Sequence, residues 1–592
     1  MSSEIVIRVC MGPGGIASGG KDVLQAFSSS LATQGIKATL KDKCSAHKVG
    51  CMGLCARDVL VEIEQNNSKT VYQYVKPAMV ERIVSEHLVN GTVVSEWLVD
   101  EAYERFHQKQ VKVVLDQCGK FDPEDIEAYQ AAGGYAAAKK AITQLTSEAI
   151  VETIKKSGLR GRGGAGFPTG TKWEMGKNAP GSEKYIICNA DEGDPGAFMD
   201  RAVVEGNPHA VLEGMMIGAY AIGASKGYVY IRAEYPLAVE RLKLAIEQAR
   251  SAGYLGKNIF GTDFNFDIAI KLGAGAFVCG EETALIASIE GSRGMPRSKP
   301  PFPVRKGLWG KPTMVNNVET FANVPAIISK GAKWFASLGT EQSKGTKVFA
   351  LTGKIKNTGL IEVPFGITLR EIIYDIGGGI VDNKLFKAVQ TGGPSGGCIP
   401  AEHLDTPVDY ESLGRMGSIV GSGGMIVLDE DNCMVNMAKY FLEFTQKESC
   451  GKCVPCRIGT KRLLEILTRI TEGRAKDGDI ELLESLSNDV RASSLCGLGQ
   501  TAPNPILSTL RYFRSEYEAH VHEKRCPAGV CKDLITYTVL EEACTGCTAC
   551  ARACPTAAAL GEKKKPHRIV QDKCIKCGAC FDVCRFKAIR KQ

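Results

Sequence analysis

The chain has 592 residues, 44% of them hydrophobic and 23% charged, with a formal net charge of +7 at pH 7. That length exceeds a single core and predicts about four domains. The small charge excess gives no argument for a nucleic-acid partner, and no stretch approaches the ~18 uninterrupted apolar residues of a membrane span.

The opening segment Met1-Ser2-Ser3-Glu4-Ile5-Val6-Ile7-Arg8-Val9 has neither a basic region nor a long apolar region of a secretory leader. This predicts a cytoplasmic protein. In that setting the 23 cysteines predict metal sites rather than disulfides, because thiolates are soft ligands suited to iron–sulfur clusters and zinc.

Residues 1–95 order as a strand (Ile5–Val9), a glycine-rich loop after Cys10, a helix (Lys21–Thr33), a strand (Ile36–Leu40), then Cys44, Cys51 and Cys55, and a strand at Val59–Ile63. This βαβ-like order with a Cys-x3-Cys loop resembles the thioredoxin-like [2Fe-2S] domain, whose pattern is Cys-x4-Cys followed distantly by Cys-x3-Cys. Cys10, Cys51 and Cys55 fit that pattern, but its remaining position falls on Gly15. A [2Fe-2S] cluster takes four ligands. Either Cys44 completes the set or the domain is purely structural, with spare thiols.

A polar stretch, Asp100–Lys112, leads into a second region, 105–330. Its centre is Ser157-Gly158-Leu159-Arg160-Gly161-Arg162-Gly163-Gly164-Ala165-Gly166-Phe167-Pro168-Thr169-Gly170-Thr171-Lys172-Trp173, which follows a helix pattern at Thr146–Lys156. Glycine permits φ > 0 and leaves room where a side chain would meet a ligand, so the stretch reads as a cradle for an anionic planar group, with a plain surface loop as the alternative. Gly161, Gly163 and Gly166 satisfy G-x-G-x-x-G, but that dinucleotide fingerprint needs a strand before it. A helix precedes it here, which argues for a cradle of another architecture.

A strand at Lys184–Cys188 then runs into the Asn189–Phe198 loop, with Asp191, Glu192 and Asp194 at the place where carboxylates accept hydrogen bonds from ribose or nicotinamide groups. Gly273–Leu285 reads as a strand, a glycine turn and a helix N-terminus. Pro300–Pro303 and Asn316–Thr320 close the region.

Residues 331–430 are glycine-rich, with short strands at Lys347–Leu351, Gly359–Val363, Lys387–Gln390 and Ser418–Leu428 and a helix pattern at Leu369–Ile376. Nothing there looks catalytic, and Cys398 and Cys433 are expected as buried thiols.

Cys450, Cys453 and Cys456 lie between helix patterns at Met434–Gln446 and Lys461–Thr471. Three thiolates at Cys-x2-Cys-x2-Cys spacing wrap one face of a [4Fe-4S] cubane, and the remote Cys496 fits the fourth corner. The C-terminus repeats the bacterial ferredoxin pattern, Cys544, Cys547, Cys550 and Cys554 followed by Cys574, Cys577, Cys580 and Cys584. In that fold each fourth cysteine serves the other cluster. One cubane is therefore expected on Cys544, Cys547, Cys550 and Cys584, the second on Cys574, Cys577, Cys580 and Cys554. Between bundle and repeat, His520, Cys526 and Cys531 permit a structural zinc; the alternative is a redox-inert hinge. The basic run Lys563–Arg568 is expected as a solvated loop.

In order, the cradle, the Asn189–Phe198 loop, the Gly275–Thr283 turn and Asn316–Thr320 resemble the NADH-binding flavin subunit of complex I and its soluble relatives, from about Val113 to Tyr517. The resemblance implies FMN surrounded by Gly161, Arg162, Gly163, Gly164, Lys172, Asn189, Asp191, Phe277, Gly280, Glu281, Asn316, Asn317 and Thr320, with Glu282 in the same turn. It also implies NAD(H) held by Phe167, Glu192, Lys299 and Phe302. Phe277 stands where the family commonly has tyrosine, and Asp194 where complex I often has glutamate.

The implied fold class is multidomain α/β and α+β. A thioredoxin-like [2Fe-2S] domain (1–95) precedes an FMN- and NAD(H)-binding α/β domain (105–330) and a β-grasp-like domain (331–430). A helical [4Fe-4S] bundle (431–520) is followed by a linker and a 2[4Fe-4S] ferredoxin domain (521–592). The cofactor set is FMN, NAD(H), three [4Fe-4S] clusters, one [2Fe-2S] cluster and the candidate zinc.

Nicotinamide exchanges electrons as a hydride and clusters take one at a time, so a flavin stands between them. The two appended cluster domains resemble the diaphorase, or beta, subunit of soluble multimeric [FeFe]-hydrogenases, including electron-bifurcating ones. The implied partners are an [FeFe]-hydrogenase catalytic subunit, a small thioredoxin-like [2Fe-2S] subunit and ferredoxin, with no nucleic acid and no membrane. The same module in an NAD-dependent formate dehydrogenase, or a non-catalytic electron-transfer scaffold, are the alternatives, and NAD versus NADP stays open.

Overall fold

The computed structural model describes residues 5–33, 44–66 and 68–591; the strand expected at Ile36–Leu40 lies outside them. The chain divides into two compact units, Met1–Lys384 with Ala388–Val427, and Leu385–Lys387 with Leu428–Gln592.

The first unit begins with β1 (Ile5–Cys10), α1 (Pro13–Ala17), α2 (Gly20–Thr33), β2 (Cys44–Val49), β3 (Val61–Gln65) and β4 (Ser68–Tyr72), in a sheet of order β2-β1-β3-β4. Ile5, Ile7 and Val9 are buried and alternate with half-exposed Val6 and Arg8, the period of two expected of a strand with one face in a core. β1 runs parallel to β2, pairing Ile5 with Cys44 and Cys10 with Val49.

The centre of the unit follows α3 (Ser147–Ser157) and α4 (Thr169–Lys177), which flank the glycine-rich stretch. Next come β5 (Tyr185–Ala190), α5 (Pro208–Ile222), β6 (Lys226–Arg232), α6 (Pro236–Ser251), β7 (Asp267–Gly273), α7 (Glu282–Ile289), β8 (Thr313–Asn317) and α8 (Val318–Lys330). The four strands are parallel in the order β7-β6-β5-β8. Parallel strands need both faces covered, and β5 accordingly buries Ile186, Ile187 and Cys188 completely.

Helix α5 is buried almost all round. Its one carboxylate, Glu213, is answered by the Tyr129 hydroxyl at 2.5 Å and the N–H groups of Tyr135 and Ala138 at 3.0 Å. Gly214 lets α5 cross α8, since a Cβ there would stand 2.0 Å from the Phe321 carbonyl oxygen.

Strands β9 (Thr346–Gly353), β10 (Gly359–Pro364), β11 (Phe386–Thr391), β12 (Gly397–Pro400) and β13 (Gly424–Asp429) form a sheet of order β10-β9-β13-β11-β12. The helix expected at 369–376 is a π-helical turn at Glu371–Ile376.

The second unit is built from α9 (Met434–Lys447), α10 (Thr460–Thr471), α11 (Asp479–Ser493) and α12 (Asn504–Val521). They close on a core that includes Leu442, Leu463, Leu467, Ile470, Leu483 and Ile506. The repeat follows as β14 (Tyr537–Val539), α13 (Ala549–Ala553), β15 (Ala559–Leu560), β16 (Arg568–Ile569), α14 (Ala579–Asp582) and β17 (Ile589–Lys591). β14 pairs with β17 and β15 with β16, both antiparallel, so the chain ends close each half. No helix among the described residues is long and apolar enough to cross a membrane.

Candidate functional site

Sequence order and spatial order disagree at one place in the parallel sheet. From β5 the chain moves outward to β6 and β7, then returns to place β8 on the other side of β5. Such a switch point opens a crevice beyond the carboxyl ends of the two strands, where ligands of open α/β sheets bind. Asn189 and Asn317 face each other across it in register.

The glycine-rich stretch closes over this crevice. It folds back on itself through the Gly161 N–H, which donates to the Phe167 carbonyl at 2.9 Å, and Gly161 in turn accepts from the Tyr410 hydroxyl at 2.8 Å. A Cβ on Gly163 would stand 3.0 Å from the Asn317 Cβ. Gly164 has φ +120° and bridges Gly421, a conformation that only glycine adopts freely.

The polar residues of the crevice divide into wall and lining. Arg162, which the resemblance places around FMN, belongs to the wall. Its guanidinium is buried and donates to the carbonyls of Thr346, Arg160 and Lys344 at 3.0, 2.8 and 2.7 Å, so its charge is spent on holding the loop. Thr320 accepts from the Arg162 N–H at 2.8 Å, Asn316 from the Trp173 indole at 2.9 Å, and Asn317 donates to Asp200 at 2.5 Å. These side chains brace the loop.

Asn189 donates to the Gly280 carbonyl at 2.9 Å, and Asp191 pairs with Arg232 at 3.8 Å. The strand expected within Gly273–Leu285 ends at Gly273. Gly275 has φ +85° and turns the chain, residues Phe277–Gly280 form a 3-10 turn, and the Glu281 carboxylate caps α7 by accepting from the Thr283 and Ala284 N–H groups at 2.8 and 3.0 Å. The Phe277 ring packs against Gly193, 2.9 Å from where a Cβ would stand.

Lys172 and Lys299 flank Glu282 at 3.5 and 2.8 Å, and Lys299 also meets Glu281 at 2.9 Å. Burial raises the Glu282 carboxyl, but the two ammonium groups hold it below the usual carboxylate range. Phe167 and Phe302 are 46% and 54% exposed, open aromatic faces on the loops that carry them.

The acidic loop is more deeply set than a solvated one. Glu192 accepts from the N–H groups of Asp200 and Arg201 at 3.0 and 3.1 Å, yet burial pushes its carboxyl up to about 7. Asp194 accepts from the Ser422 hydroxyl at 2.6 Å and is raised by burial to about 6. A carboxyl raised on folding contributes stability that is fully present below its unfolded value and is lost as pH rises through its folded value. The urea midpoint of the first unit, which holds all four tryptophans, should therefore fall between pH 5 and pH 8. The share due to Glu192 is on the order of 2–3 kcal/mol, and Glu192→Gln should remove that share of the fall in tryptophan fluorescence while Asp194 and Asp200, also raised by burial, keep the rest.

In the N-terminal sheet Cys10, Cys51 and Cys55 converge. The Cys51 and Cys55 sulfurs are 3.8 Å apart, and the Gly53 N–H donates to Cys51 at 3.3 Å. Cys44 is set apart from them by the backbone register. It opens β2 beside Ile5, five residues from the Val49 end that adjoins Cys10, or about 16 Å along an extended strand.

In the second unit Cys456 is raised to about 11 by burial, with Cys453, Cys496 and Cys450 adding to the rise. Gly499 permits this approach, since a Cβ there would stand 2.9 Å from the Cys456 Cβ. In the repeat, one cavity is lined by Cys544, Cys547, Cys550 and Cys584, and another by Cys554, Cys574, Cys577 and Cys580.

Cys433, expected as an inert buried thiol, instead meets His520, Cys526 and Cys531. All four are buried, with ligand atoms within 4.8 Å of one another. The Cys433 sulfur is 3.7 Å from that of Cys531, and His520 Nε2 lies 3.4 and 3.3 Å from the two. A tetrahedron with zinc–sulfur bonds of about 2.3 Å has edges of about 3.8 Å. His520 Nδ1 donates to the Glu516 carbonyl at 2.6 Å, which leaves Nε2 as the free lone pair. Cys398 remains a buried thiol, 3.0 Å from the Gln390 side-chain oxygen.

Four family models match parts of the chain. Residues 2–88 match the thioredoxin-like [2Fe-2S] ferredoxin, 154–326 the Nuo51 FMN-binding domain, 436–520 the NADH-ubiquinone oxidoreductase-F iron-sulfur binding region and 537–585 a 4Fe-4S dicluster domain. The chain is 61% identical over 485 residues to the NADP-reducing hydrogenase subunit HndC of Solidesulfovibrio fructosivorans, covering 82% of this chain and 99% of that protein. It is 47% identical over 402 residues to the NADH-quinone oxidoreductase F 2 subunit of Rhizobium meliloti (strain 1021), covering 68% and 96%. A chain of the NAD+-reducing [NiFe]-hydrogenase, solved in the air-oxidized state, matches with a TM-score of 0.61 at 31% identity, covering 88% of this chain and 86% of its own.

Proposed function

The chain belongs to the family of NADH-dependent flavin oxidoreductase subunits typified by the F subunits of NADH-quinone oxidoreductase and by HndC of the NADP-reducing hydrogenase, and from that premise we propose that it is the NAD(H)-reacting subunit of a multimeric [FeFe]-hydrogenase that bifurcates electrons between NADH, ferredoxin and hydrogen. The observation that carries the reading is the glycine-closed crevice at the β5–β8 switch point. FMN, when bound there, supplies the exchange between a two-electron carrier and one-electron clusters.

The residues present fit such a group. Gly161, Gly163 and Gly164 present no side chain that would collide with a phosphate or a ring, and the N–H groups of Gly161 and Arg162 hold the cradle's shape by donating to Phe167 and Thr320. Asn189, Asn316, Asn317 and Thr320 fix the loops around it, and Lys172 and Lys299 are ammonium groups already paired with Glu282 and Glu281. Phe167 and Phe302 offer stacking faces to a nicotinamide or adenine ring. No side chain is needed as acid or base, and catalysis rests on positioning. Within the second unit, Cys450, Cys453, Cys456 and Cys496 would hold one [4Fe-4S] cluster and the two cysteine-lined cavities two more. Cys433, His520, Cys526 and Cys531 would hold zinc.

A hydrogenase setting is supported by the identity to HndC and by the [NiFe]-hydrogenase neighbour; the [FeFe] assignment rests on the appended cluster domains. The neighbour favours a nickel–iron partner as the second reading. Mass spectrometry of the subunits that co-purify anaerobically with the chain decides between them. An [FeFe]-type catalytic subunit together with a small thioredoxin-like one is the expected result. A nickel–iron or a formate dehydrogenase subunit would reassign the partner. NADH-dependent ferredoxin reduction in the intact complex, coupled to hydrogen, is the expected sign of bifurcation.

A further inference from the structure

The N-terminal thiols leave one ligand position of a [2Fe-2S] cluster to be filled, and the position that carries cysteine in the family pattern cannot fill it. Gly15 lies in α1, and a Cβ there would stand 2.2 Å from the Cys10 carbonyl oxygen. Cys44 is at the far end of β2.

The start of α1, Gly12-Pro13-Gly14-Gly15, shows which group takes the place. Each of its glycines makes room for one neighbour. A Cβ on Gly12 would meet the Cys51 Cβ at 2.5 Å, and one on Gly15 would lie 3.3 Å from the Cys10 sulfur. A Cβ on Gly14 would meet Asp58 Oδ2 at 2.4 Å and the Cys55 sulfur at 3.4 Å. The Asp58 carboxylate thus shares the floor of the thiol cluster. Its Oδ1 accepts from the Leu60 N–H at 3.4 Å, while Oδ2 is sealed from solvent with no backbone donor to answer it, and the Cys10 thiol is the side chain set against the carboxyl. Such an atom is costly to bury unless something binds it.

We propose that Asp58 is the fourth protein ligand of the N-terminal [2Fe-2S] cluster, beside Cys10, Cys51 and Cys55. This rests on the cluster forming at all. Three thiolates and a carboxylate carry the same total charge as four thiolates, so the exchange keeps the cluster's charge while replacing a soft donor with a hard one. His107 is the competing donor, since its Nε2 is also sealed and the ring packs near Gly53. Its Nδ1, however, lies 3.5 Å from the Lys112 ammonium. Accepting there leaves the proton on Nε2, which then has no lone pair to offer.

The test uses the full chain, purified anaerobically, reduced with dithionite and examined by EPR at temperatures where the fast-relaxing [4Fe-4S] signals have broadened away. Wild type and His107→Gln should share one [2Fe-2S] spectrum. Asp58→Cys should keep its intensity with shifted g-values, and Asp58→Ala should lose it together with two irons per chain. Identical g-values in Asp58→Cys, full intensity in Asp58→Ala, or loss of the signal in His107→Gln would overturn the assignment. A wild-type chain with its cubanes loaded and no [2Fe-2S] signal would overturn the cluster itself. That last result would leave the flavin reading standing. Should Asp58→Ala fail to fold, the g-values of Asp58→Cys decide.

Discussion

Cys433→Ser is expected to drop the zinc content of the purified chain from one per chain to near zero and to make the second unit the first part to unfold. The apparent binding energy of a structural zinc is about 10–16 kcal/mol, as large as the whole margin that holds an ordinary domain together. Removing one of four buried ligands leaves three polar groups in a dry site. Metal analysis with urea unfolding followed by the iron–sulfur absorbance measures both effects. His522→Ala is the control, because His522 is exposed beside the site without entering it. Unchanged zinc and an unchanged midpoint in Cys433→Ser would reduce the cluster to packed thiols.

Gly164→Val should leave the chain folded and take away its flavin. The residue sits at φ +120°, where a β-branched side chain costs more than the roughly 1–2 kcal/mol usual for a strained L-residue, and the added methyls crowd the Gly421 backbone, 3.5 Å from where the Cβ would stand. Flavin absorbance should fall from one FMN per chain to below about a tenth. NADH-driven reduction of a viologen dye should fall at least about a hundredfold, on the order of 3 kcal/mol in the barrier. Tryptophan fluorescence and iron content should match the wild type. Retained flavin in that variant would mean that the crevice lies elsewhere.

What could be read from the sequence was local. The ferredoxin spacings set three ligands on one short segment, and the exchange of the fourth cysteine follows from the repeat, so the two cavities hold the same quartets that the spacing groups. Glycines at 161–166 mark a cradle because few other roles need so many residues without side chains. Long-range geometry was not legible. Cys433 lies 87 residues before His520, and only the packing of α9 against α12 brings the two together. Cys44 looked as good a ligand as any until the β1–β2 register placed it at the wrong end of a strand. Arg162 offered a charge whose direction the sequence does not encode. Asp58 carries no motif, and its part emerges only from what surrounds Gly14.

The out-of-order placement of β8 also sets a timetable for the nascent chain. The crevice has one wall from the loop after β5 and the other from the loop after β8, more than a hundred residues later. Until Thr320 has left the ribosome and β8 has docked on β5, the cradle has nothing to close against. Flavin loading therefore waits until more than half of the chain has been made. A riboflavin-starved cell would accumulate chains whose metal sites can fill while the crevice at β5 and β8 waits empty.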